Sequence, residues 1–158
     1  MPDIFSLITA KPVLIGIHLG MAIVGIDAFL WLAGEAIAGH GTGSRARFAA
    51  ILGVIGFSLS WLAGGYYYVV NYGSFVKPII LAGSAPWAHA VSMEAKEHIF
   101  LFIIPLALTA LFAVFAGKDI FEQSGIRRQV IYLSLFIAVL GLFIGAMGFI
   151  ISSAARWG

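Results

Sequence analysis

The chain has no cysteine. That excludes disulfides, thiolate metal sites, iron–sulfur clusters and c-type haem attachment, so any haem would be held without a covalent link. Charge is scarce as well. Only 10% of the 158 residues are Asp, Glu, Lys or Arg, where a water-soluble domain carries about 25%. None of the four occurs from Phe48 to Val76, from Ile99 to Gly117 or from Gln129 to Ala155. There is no convincing internal repeat and no low-complexity tract. The net charge of +2, carried by residues that flank the apolar runs, gives no footing for nucleic acid. The opening MPDIFSLITAKP lacks the basic start, apolar stretch and small-residue cleavage site of a secretory signal. It reads as a short amphipathic lead into a helix with Pro12 near its first turn.

What the chain has in abundance is apolar mass, at 61% of its residues. A membrane-spanning helix needs about 20 mostly apolar residues. Each charge-free run meets that length, and a fourth run from Pro12 to about Ala38 is broken only by His18, Asp27 and Glu35. The pattern predicts one all-α domain over 1–158, an integral membrane antiparallel four-helix bundle with spans near 12–38, 49–72, 92–116 and 129–155. Gly53, Gly56, Ser60 and Gly64 in the second span, and Gly141, Gly145 and Gly148 in the fourth, are spaced for close helix approach. The connection from about Gly73 to Ser92 reads as an aromatic, proline-containing loop on the outer surface, and Lys118 to Gly125 as a polar turn. Of the nine basic residues, Arg45, Arg47, Lys118, Arg127 and Arg128 fall in the first and third loops. By the positive-inside rule these loops face the cytoplasm of a bacterial inner membrane, and both termini face the periplasm.

This topology sets two histidines level. His18 and His98 each lie six residues into a span that enters from the outer side, roughly 9 Å along the axis. An ionisable residue within a span marks a candidate functional site. The stripe Leu14, His18, Met21, Gly25, Phe29 is spaced to face the bundle interior, and so is Glu94, His98, Leu101, Pro105, Leu108. Met147 on the fourth span and Tyr66, Tyr67 and Tyr68 on the second reach the same zone.

Three chemistries suit this belt. A b-type haem would take His18 and His98 as axial ligands, or His18 with Met147, while Lys96, Tyr66 and Trp87 meet the cofactor's edge and propionates. A non-haem iron or copper site would draw on His18, His98, Glu94, His89 and Met147. The third reading is structural or proton-carrying: the imidazoles bond backbone carbonyls, and Glu94, Lys96 and Glu97 are interfacial. Asp27 stands apart. It is about 180° around the helix from His18 and near mid-membrane, which favours a partner subunit or an inter-helix hydrogen bond. His40, in Gly39-His40-Gly41, reads as a solvated loop residue.

The segment His18-Leu19-Gly20-Met21-Ala22-Ile23-Val24-Gly25-Ile26-Asp27 resembles the first helix of small bacterial membrane proteins of the copper-resistance D kind and related four-helix, b-type cytochrome-like groups. The resemblance covers mainly this helix. It implies haem or copper near the outer face, with His18 as the residue carried over. The expectation is an electron-transfer subunit working with other membrane or periplasmic redox subunits and with quinol, more than a complete enzyme. The alternative is a non-redox subunit or transporter that stabilises a larger complex.

Overall fold

The structure, a computed structural model, describes residues 3–123 and 125–157. Among the described residues there is no strand. Helix α1 (Ile4–Ile8) is capped by Asp3, whose carboxylate accepts from the Ser6 backbone N–H at 2.7 Å. Those bonds to Ser6 hold the exposed Asp3 carboxyl below its ordinary range. Next come α2 (Lys11–Ile37), with proline in its first turn, and α3 (Ser44–Tyr67). A π-helical segment (Tyr68–Val76) carries α3 on into α4 (Lys77–Ala82). A second π-helical segment (Ala88–Met93) leads into α5 (Glu94–Val114), followed by α6 (Lys118–Gln123) and α7 (Ile126–Trp157).

Four continuous stretches are long and apolar enough to cross a membrane: Lys11–Ile37, Ser44–Ala82, Ala88–Val114 and Ile126–Trp157. The expected outer loop from Gly73 to Ser92 is therefore helical except at residues 83–86. The absence of charge up to Val76 and the placing of Pro78 in a first helical turn both favour continuation. The expected polar turn after Val114 is likewise in large part helix. In α6, Phe121 is fully buried, and its ring fills the space beside Gly41 that a side chain there would need.

Helix α2 packs against α3 and α7, and α5 packs against the same two, so α2 and α5 stand diagonally across the bundle. The α2–α3 contact is set by glycine. A Cβ on Gly56 would lie 2.8 Å from the Gly25 nitrogen and 2.9 Å from the Met21 carbonyl oxygen, so backbone meets backbone there. Gly25 faces the Phe57 ring and Gly53 faces Phe29, and these two rings stack at 5.8 Å between centroids. Numbers fall along α2 as they rise along α3, from Phe29 beside Gly53 to His18 beside Gly64. Around this centre, Leu32, Ile103, Ala107, Ala110, Val114 and Ile137 complete the core. The outer surface is apolar too, with Ile23, Phe102, Phe112, Val139 and Phe149 all more than half exposed.

One end of the bundle is closed by charge. Glu35, only 8% exposed, accepts from Trp31 Nε1 at 2.8 Å and pairs with Arg45 Nε at 2.9 Å. Arg127, from the first turn of α7, donates through Nε and Nη2 to the Ala36 and Ile37 carbonyls, both at 2.8 Å. It thereby satisfies acceptors that the end of α2 would otherwise leave open.

The glycine crossing makes a sharp prediction. Gly56→Leu should destabilise the fold by about 1–3 kcal/mol, the range for overpacking a tight contact. Gly65→Leu, at a position with nothing within 4 Å, should leave the melting temperature of the detergent-solubilised protein unchanged.

Candidate functional site

At the end of the bundle opposite Glu35 and Arg127, polar side chains gather between α2, α3 and α5. His18 projects from α2 towards α3. Its Nδ1 lies 2.9 Å from the Ser60 carbonyl oxygen and 3.0 Å from Ser60 Oγ. Ser60 Oγ–H is already given to the His18 carbonyl at 2.8 Å. The Ser60 carbonyl can only accept, so the imidazole proton sits on Nδ1 and the Nε2 lone pair is left free. Space for the ring comes from Gly64, where a Cβ would stand 2.5 Å from Nδ1. Of the inward stripe read from the sequence, Leu14, Gly25 and Phe29 are buried, and His18 and Met21 are half-buried.

The companion stripe on α5 turns the other way. Glu94, His98, Leu101 and Pro105 are exposed and Leu108 is half-buried, and the inward side is formed by Met93, Lys96, Phe100, Ile103, Ala107 and Ala110. His98 is held by its own helix, its Nδ1–H donating to the Glu94 carbonyl at 2.6 Å. His18 and His98 therefore do not face one another across the core, contrary to what the sequence spacing suggests. The reason is physical. A helix apolar on every side has no polar face to mark its outside, so apolar spacing alone allows either phase.

The residue that α5 sends inward at this level is Lys96. Its Nζ lies 3.2 Å from where a Cβ on Gly148 would stand, so α7 yields room for the ammonium. Its charge also reaches His18. Beside it, Glu97 meets the Tyr68 hydroxyl, and its Oε1 is buried without a hydrogen-bond partner among the described residues. The Tyr72 hydroxyl and His89 Nδ1 are 3.0 Å apart, and both residues are buried. Tyr68 and Tyr72 stack at 5.3 Å. Met147 is buried on α7, whereas Tyr66 and Trp87 are exposed, at 40% and 53%. Trp87 borders an open recess of about 310 Å³ with Phe149, Ile150 and Trp157.

The cluster thus brings His18, Ser60, Lys96, Glu97, Tyr68, Tyr72 and His89 to one end, and leaves Glu94, His98, Tyr66 and Trp87 on the surface. Among the described residues no three of His, Asp and Glu converge as a metal-holding group. Ser60, Gly64 and Gly148 carry their roles as neighbours of His18 and Lys96, which spacing within one helix does not reveal. Both π-helical segments lie at this end. Such segments widen a helix by one residue per turn and recur at functional sites.

The tautomer of His18 is open to direct measurement. In ¹⁵N-histidine spectra of the protein in micelles, His18 should appear protonated at Nδ1 and bare at Nε2. Gly64→Val, which drives a side chain into the ring, should remove that signature, whereas Ser60→Ala, which keeps the carbonyl acceptor, should preserve it. No family model, curated protein or solved structure matches this chain.

Proposed function

We propose that this chain is a multi-pass membrane protein, an antiparallel four-helix bundle in a bacterial inner membrane, that carries a b-type haem near its periplasmic end. It would pass electrons between quinol or a partner enzyme and a redox protein at the outer face. The bilayer reading rests on the four long apolar stretches and on the apolar residues that cover the bundle's outside. With the first and third loops cytoplasmic, Arg127, Arg45 and Glu35 close the inner end, and the His18 cluster lies in the outer leaflet.

The observation that carries the haem reading is the His18–Ser60 bond. A histidine that ligates through Nε2 characteristically donates Nδ1–H to a carbonyl, which fixes both its tautomer and its ring plane. His18 has that arrangement inside the bundle. The second ligand follows from helix level. Ile26 meets Gly141, and eight residues towards the outer end, about 12 Å on each helix, bring His18 level with the stretch of α7 beside buried Met147. Met147 would then serve as the inward second ligand. His98, which also has a free Nε2, would reach the group only from the bundle surface. Lys96 forms no ion pair among the described residues and suits a propionate, with Gly148 giving it room. When bound, the haem supplies a one-electron couple, and the chain's residues orient it and exclude water.

A second reading, a non-redox subunit of a larger assembly, is favoured by one observation: Asp27 is exposed on the outside of α2 with no hydrogen bond or ion pair among the described residues. A reduced-minus-oxidised visible spectrum of the purified protein separates the two. The haem reading expects Soret and alpha bands that are abolished in His18→Ala, displaced in Met147→Leu and little changed in His98→Ala. A colourless protein without bound metal would overturn it and leave the subunit reading.

A further inference from the structure

Asp27 lies three residues past the midpoint of α2, about 4.5 Å along the axis. In a bilayer it therefore sits near the hydrocarbon centre, on the side of α2 that neither α3 nor α7 covers. A carboxyl group there has no water to solvate it, and no side chain of its own bundle bonds to it among the described residues. Something outside this copy must satisfy it.

The face around Asp27 indicates what that is. Gly16, Gly20, Ile23, Asp27, Leu30 and Gly34 are all exposed, at alternating spacings of four and three. That 3.5-residue period keeps one seam against a neighbouring helix. Gly16, Gly20 and Gly34 have nothing within 4 Å of where a Cβ would stand, unlike Gly25, Gly53 and Gly56, which are filled by the α2–α3 contact. Copies of one chain insert with the same orientation, so each residue of the seam stands at the same depth in every copy. Brought together about a twofold axis along the membrane normal, Asp27 meets Asp27, and the receding glycines meet each other and let the backbones approach. Two carboxyl groups in hydrocarbon cannot both ionise, and a protonated one donates its O–H to the other.

We propose that this face of α2 is the contact of a symmetric homodimer in which the two Asp27 side chains hydrogen-bond to each other within the membrane. The inference rests on the bilayer reading above and is independent of the haem.

The absence of native cysteine makes the test clean. In carbonate-washed membranes under mild oxidant, full-length chains bearing Ile23→Cys or Leu30→Cys should cross-link to twice the 16.8 kDa chain mass. Val139→Cys, 63% exposed on α7, should remain monomeric. Adding Asp27→Leu to Ile23→Cys should weaken dimerisation about tenfold, as expected for loss of one interhelical hydrogen bond. Asp27→Asn, which keeps a hydrogen-bonding side chain, should retain it. A photo-cross-linker at position 23 should likewise yield only the doubled mass. Chains that stay in the membrane but remain monomeric overturn the dimer, as does equal cross-linking from Val139→Cys, or capture of a species of any other mass. Chains washed out by carbonate overturn the bilayer reading and the dimer together.

Discussion

Everything in this bundle is registered by the place where α2 and α3 touch backbone to backbone, Gly56 against Gly25 and Met21. With side chains absent from that crossing, the two axes come close enough for Phe29 and Phe57 to stack on each other beside it. The same register carries Ser60 and Gly64 to the level of His18. A slip of one residue would turn these partners by about 100° around α3. The core and the polar end thus depend on one contact between small residues. Small residues at such a crossing let backbones approach closely, a mode of pairing suited to helices that are apolar on every side.

The two ends of the bundle use polarity differently. Around Glu35 and Arg127, each charge has an assigned partner: Trp31 and Arg45 for the carboxylate, and the last carbonyls of α2 for the guanidinium. Arg47, at the same end, lies over the Phe115 ring and keeps one buried nitrogen without a hydrogen-bond partner among the described residues. At the other end, among the described residues, Lys96 has no counter-charge and one oxygen of Glu97 has no partner, although both lie among packed helices. Unpaired groups of this kind are costly in a low-dielectric interior.

The all-helical fold class and the four long apolar helices were legible because length and lack of charge are one-dimensional signals, read without knowing any contact. The inward stripe through His18 was legible for a related reason: Gly25 and Phe29 continue it, and small residues alternating with large ones betray a packed face. The stripe through His98 was not. Ala107 and Ala110, the small residues that face the core, lie on the opposite phase from Pro105, and nothing in hydropathy separates the two. Residues 73–92 read as a loop because glycine and proline break helices, yet Gly73 lies within a π-helical segment, Pro78 sits in the first turn of α4, and only the stretch around Pro86 leaves the helix. Ser60 was visible only as a small residue. Its carbonyl, which sets the His18 tautomer, belongs to the backbone and has no sequence signature.

The bond from Arg127 to the end of α2 spans some ninety residues. It has a meaning in time as well as in space. The α2–α3 pair closes through neighbours in sequence, so it assembles while the rest of the chain is still being made. The carbonyls of Ala36 and Ile37 gain their partner only once the first turn of α7 has been made. Closing that bond ties the start of the last helix to the end of α2, across the whole of α3 and α5.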